Sequence, residues 1–158
     1  MASSDEEAVA PATTGTVVFA YDGSELAELA IEQAGRELVS GRDAIVVCVW
    51  QPADVGFVPI GDHPFNAQEA PEVQRAAEET AAHGASLATD AGFRAQSVAV
   101  EAAPTWKGIL NVAEEHAASL IVLGAHRRSG IAGHLLGSVT AAVVAHTASS
   151  VLVVHDPA

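Results

Sequence analysis

Five short apolar runs, separated by longer segments of helical periodicity, restrict this 158-residue chain more than any other feature. The runs occupy residues 16–21, 44–50, 94–101, 119–123 and 150–155. The first two, Thr-Val-Val-Phe-Ala-Tyr and Ala-Ile-Val-Val-Cys-Val-Trp, are too continuously apolar for half-exposed strands. They read as central strands buried on both faces. The third alternates, with Val98 and Val100 on one side and Gln96 and Ser97 nearer solvent, as expected closer to a sheet edge.

The segments between the runs read as helices. Over 25–40, Leu26, Leu29, Ala30, Gln33, Ala34 and Leu38 recur at helical spacing, with Gly41 as the expected stop. A cap at Ser24 or Asp22 starts this helix. A second helix spans 67–90 and is closed by Gly92. A third starts at Pro104, with Trp106, Ile109, Leu110 and Ala113 as its buried stripe. A fourth runs over 136–147. The order βαβαβαβαβ requires helical crossovers between parallel strands. It predicts a Rossmann-like α/β fold: a five-stranded parallel sheet, order 3-2-1-4-5, with helices on both faces. That order makes the first and fourth strands neighbours, and a ligand would sit beyond their carboxyl ends.

At this length one domain is expected, over residues 15–158, preceded by a disordered tail over 1–14 that is small, acidic and polar. Twenty acidic residues against seven basic give a net charge of −13. Such a domain is a poor partner for nucleic acid or for an anionic membrane. A single cysteine, Cys48, excludes an internal disulfide and reads as a small buried hydrophobe. No stretch has the apolar length of a membrane span, and the acidic first residues lack a signal-peptide layout, so the cytoplasm is the expected location. The irregular stretch 51–66 is long for a compact domain and is expected to lie over a site or an interface.

The chemistry-bearing stretch is 120–139. A strand breaks at Gly124 into a loop with Gly130 and Gly133, and a helix re-forms at Gly137-Ser138. Glycines let backbone N–H groups approach an anion, and a helix N-terminus adds unpaired donors and a positive dipole end. Ser138 adds a hydroxyl, either for an anion or as a helix cap. Asp22, at the end of the first strand, has the same two readings: ligand contact or cap.

The chain resembles the universal stress proteins. The resemblance is carried by Ala-Tyr-Asp-Gly-Ser-Glu at the end of the first strand, Leu-Ile-Val-Leu-Gly before the loop, and Gly-His-Leu-Leu-Gly-Ser-Val-Thr ahead of a Val-Leu-Val-Val strand. It covers residues 16–155. Relatives that bind ATP are similar in carrying Gly-x2-Gly-x9-Gly-Ser/Thr; Gly124, Gly137 and Ser138 match, and Arg127 stands at the second glycine. The resemblance implies a site for ATP or another adenine nucleotide, with Mg2+ as a candidate companion. Ala20 and Asp22 would meet the adenosine, Val49 the adenine, and Leu123 would flank the nucleotide. Gly124, Gly137, Ser138 and Val139 would hold phosphates, with Arg127 beside them. It also implies a dimeric regulator of the stress response. The alternative is a regulator without nucleotide, because Arg127 replaces a glycine.

No enzymatic turnover beyond slow ATP hydrolysis or autophosphorylation is expected, since the loop holds no carboxylate base and no lysine beside Gly137. The seven histidines show no His-x3-His pair, so no metal site is expected. The last strand, with Val151, Leu152, Val153 and Val154, would form an open edge that pairs with the same strand of a second copy.

Overall fold

A computed structural model describes residues 15–52, 70–125 and 136–156. The expectations for the tail 1–14, for the excursion beyond Pro52, and for Arg127, Gly130 and Gly133 lie outside the described residues.

Nine elements alternate along the chain: β1 (Val17–Ala20), α1 (Glu25–Glu37), β2 (Asp43–Trp50), α2 (Ala70–Asp90), β3 (Arg94–Glu101), α3 (Thr105–Glu115), β4 (Leu120–Ala125), α4 (Ser138–His146) and β5 (Ser150–His155). The strands form one parallel sheet in the order β3-β2-β1-β4-β5, as the alternation predicts. The continuous apolar runs are explained by burial on two sides. Val17, Phe19 and Tyr21 point to the layer of α1 and α2, where Ile31, Ala34, Val46, Ala88 and Phe93 meet them. Val18, Ile45, Val47, Ile121 and Leu123 point to the opposite layer, where Ile109, Val112 and Val143 close the core. Phe19 and Phe93 pack edge to face at 5.2 Å between ring centres.

The amino ends of the strands are tied together by Arg42. Its guanidinium donates to the Gly15 carbonyl from Nε at 3.0 Å and from Nη2 at 2.8 Å, and to Ser119 Oγ at 2.9 Å. Three separate stretches of chain thus meet on one buried cation.

Several boundaries differ from the sequence reading. Helix α1 stops at Glu37, because Leu38 turns to extended backbone and packs its side chain on the core. Gly41, at φ +85°, lies in the turn beyond and donates its N–H to Gly92 O at 2.7 Å. Gly92 does close α2: at φ +106° it lets its own N–H reach Thr89 O and that of Phe93 reach Ala88 O. Pro104 is the N-cap of α3 and not its first helical residue. Strand β4 does not break at Gly124; it continues to Ala125, with Gly124 opposite Val154. Helix α4 starts at Ser138 and ends at His146, shorter at both ends than expected, and Leu136 lies exposed before it.

Candidate functional site

The crossovers place the amino ends of α1, α3 and α4 around the carboxyl ends of β1, β2 and β4. A cleft of about 180 Å³ opens there. Its walls are apolar: Ala20 from β1, Val47 and Val49 from β2, Ile109 from α3 and Leu123 from β4. Its polar groups are Asp22 and Ser24 before α1, Thr105 at the start of α3, and Thr140 in α4. An apolar trough with a few convergent polar groups is what a small-molecule site requires.

Six of the residues singled out from sequence meet in this cleft: Ala20, Asp22, Val49, Leu123, Gly124 and Val139. Gly137 and Ser138 stand exposed at the head of α4 and do not line the described cleft. Gly137 is the N-cap there, so Ser138 is the first helical residue and not the cap. Of the two cap candidates the structure selects Ser24. Ser24 caps α1, its Oγ accepting from Ala27 N–H at 3.2 Å. Asp22 accepts from Ser24 N–H through Oδ1 at 2.9 Å, while its exposed carboxylate borders the cleft.

Gly124 also answers a packing need. A Cβ there would lie 2.7 Å from Leu26 Cγ and 3.1 Å from Leu26 O. The glycine is needed because the first turn of α1 rides directly over β4.

Sequence reading missed Thr105 and Thr140. Thr140 falls three residues before Val143 on the buried stripe of α4, and that spacing is the signal that could have found it. Arg42 and Thr140 are the polar side chains buried among the described residues. Arg42 is engaged through Nε and Nη2, whereas Thr140, only 4% exposed, has no hydrogen-bond partner among the described residues. Its hydroxyl oxygen keeps contact with the cleft, since no fully enclosed side-chain oxygen is left unpaired. The first turn of α4 is likewise without a side-chain cap.

Tyr21 also belongs to the cleft lining, its ring buried and its hydroxyl donating to Glu28 Oε1 at 3.4 Å. His83 Nε2 sits 3.5 Å from the same carboxylate oxygen. Burial, then the Glu28 carboxylate, pushes the Tyr21 phenol up to about 12. The folded state therefore holds this proton longer than the unfolded chain does. Stability from this group is complete below about pH 10 and is lost as pH rises from there to about 12, on the order of 2–3 kcal/mol in all. Tyr21→Phe should flatten that alkaline slope in urea titrations; an unchanged slope would contradict the burial argument.

Among the described residues no group of three or more His, Cys, Asp or Glu side chains is placed to hold a metal. No helix among them is long and apolar enough to cross a membrane.

A model of the universal stress protein family matches residues 13–155, nearly the whole chain. The chain belongs to the universal stress protein family. Solved structures agree in fold. One, assigned a biochemical function as a test case of structural genomics, is 22% identical with a TM-score of 0.71, covering 91% of this chain and 97% of its own. A universal stress protein in complex with cAMP is 27% identical with a TM-score of 0.61, covering 90% and 97%. One from Archaeoglobus fulgidus, in complex with dAMP, is 22% identical with a TM-score of 0.57, covering 89% and 96%. Among curated proteins none matches this chain. Two of these neighbours thus hold an adenine nucleotide, cAMP in one and dAMP in the other.

Proposed function

We propose that this universal stress protein binds ATP or a related adenine nucleotide in the cleft between β1 and β4, with Mg2+ as a companion of the polyphosphate. The observation that carries the reading is Thr140: a hydroxyl open to the cleft on an otherwise buried residue, with no partner among the described residues, beside a helix N-terminus without a side-chain cap and facing an apolar trough of about 180 Å³. A hydroxyl that opens to the cleft beside a helix N-terminus can donate to a ligand phosphate. The 27% identical neighbour in complex with cAMP supports the same ligand class. In this reading Asp22 meets the ribose, Ala20, Val49 and Leu123 hold the base, and Gly124, Val139 and the head of α4 at Gly137 and Ser138 face the phosphates. Arg127 is assigned to the phosphates by motif position alone.

Titration calorimetry with ATP, ADP, AMP and cyclic AMP tests the proposal, and no heat at sub-millimolar ligand would refute it. Thr140→Val should weaken nucleotide binding about tenfold or more, a hydrogen bond to a charged group being worth about 1.5–3 kcal/mol. The same change should leave the empty protein as stable as before or more so. A variant that loses stability and keeps its affinity would make Thr140 a structural residue.

The sheet edge supports a second reading, a dimeric regulator that acts with or without nucleotide. β5 is a terminal strand, and an open groove runs between its Val151, Leu152, Val153 and Val154 and the Leu29, Arg36 and Leu38 side of α1. Pairing with the β5 of a second copy would cover this edge. Light scattering at micromolar concentration should return twice the chain mass, and a monomer would rule the pairing out.

A further inference from the structure

We infer that Asp22 grips a single ribose hydroxyl, so that the cleft takes adenine nucleotides lacking either the 2′- or the 3′-hydroxyl. The inference rests on the nucleotide reading above and deepens it. Asp22 belongs to the cleft lining, and it is exposed. A carboxylate free to turn can face two adjacent hydroxyls with both oxygens, one for each. That of Asp22 is not free. Its Oδ1 accepts the Ser24 N–H at 2.9 Å, which closes the turn into α1. The chain on either side is held as well. The Tyr21 N–H donates to Val47 O at 2.9 Å, tying the turn to β2. Behind it Gly23 lies against α2, where a Cβ on the glycine would be 3.4 Å from Thr80 Cγ2. Ser24, the N-cap, accepts from the Ala27 N–H at 3.2 Å.

Swinging the carboxylate round to present both oxygens would break its bond to Ser24 and leave that N–H unpaired at the head of α1. Oδ2 is therefore the oxygen left for a ligand. A hydroxyl that donates to a charged oxygen adds about tenfold or more to affinity. With one oxygen to fill, the first hydroxyl gains this factor and the second adds little. The two hydroxyls of a ribose sit on adjacent carbons, and either can serve. The ligand class follows. Ribonucleotides, 2′-deoxyribonucleotides and 3′,5′-cyclic nucleotides of adenine all keep at least one free hydroxyl, and a 2′,3′-dideoxynucleotide keeps none.

Calorimetry with ATP, 2′-deoxy-ATP, 3′-deoxy-ATP and 2′,3′-dideoxy-ATP, each with Mg2+, tests this. The first three should bind within about threefold of one another, and the dideoxy compound about tenfold or more weakly. Asp22→Asn gives an independent check. Its amide oxygen can still accept from the Ser24 N–H, so the turn is kept, while an NH2 group replaces Oδ2. That protein should bind ATP about fivefold more weakly, and the gap between ATP and dideoxy-ATP should shrink to about threefold or less. A loss of about tenfold for each single deletion, and about a hundredfold for both, would show that both oxygens hold the ribose. That result would overturn the inference while leaving nucleotide binding intact. Dideoxy-ATP binding as tightly as ATP would also overturn it, since no hydroxyl would then meet Asp22. No heat with ATP would instead strike the nucleotide reading itself.

Discussion

Arg42→Ala should destabilise the protein by about 3–5 kcal/mol, read as a shift of the urea midpoint at unchanged slope. The guanidinium is 9% exposed and makes three hydrogen bonds, two to the carbonyl of Gly15 and one to Ser119 Oγ. Hydrogen bonds from a charged donor are worth about 1.5–3 kcal/mol each when one partner is removed, and they are not additive. The alanine also strips packing from the aliphatic stem. Arg42→Lys keeps the charge but not the two-pronged geometry, and should recover only part of the loss. A loss below about 1 kcal/mol for the alanine variant would mean that the amino ends of β1 and β4 hold together without the clasp.

The second large effect is expected at Gly124. Gly124→Val should cost about 3 kcal/mol or more, because the new side chain meets the backbone oxygen of Leu26 as well as its side chain. Gly124→Ala should cost less, and Leu26→Ala in the same protein should relieve part of it, since Leu26 Cγ is the closer obstacle at 2.7 Å. Nucleotide binding should fall in both single variants, because α1 must shift and Asp22 shifts with it. Additive losses in the double variant would show that the two residues do not share one space.

That glycine also shows what a sequence can and cannot reveal. The parallel sheet and its strand order were legible, because apolar runs buried on two faces and helical crossovers admit few other arrangements. The cleft's position followed from that order. What Gly124 is for was not legible, since a glycine at a strand end reads as a loop residue when the neighbour that crowds it, Leu26, lies 98 positions away in the chain. The same holds for Arg42, whose partners Gly15 and Ser119 come together only through the sheet. Gly41 read as a helix stop because propensity is local, while Leu38 leaves the helix for a tertiary reason, its packing on the core. Thr140 was hidden by its neighbour Ser138, which carries the motif but stands exposed, whereas the hydroxyl that opens to the cleft lies two residues on.

The central place of β1 has a consequence for how the molecule breathes. Val17 and Val18 are wholly inaccessible, and the strand is bonded to β2 on one side and β4 on the other. Its amide protons should trade with deuterium only when the entire sheet opens. β5 has one bonded neighbour, and the nine-residue α4 packs on α3 and β4 as the last helix among the described residues, so both should trade first. An occupant of the cleft would thus be felt as slower deuterium uptake in α4, at the periphery, with β1 unaltered.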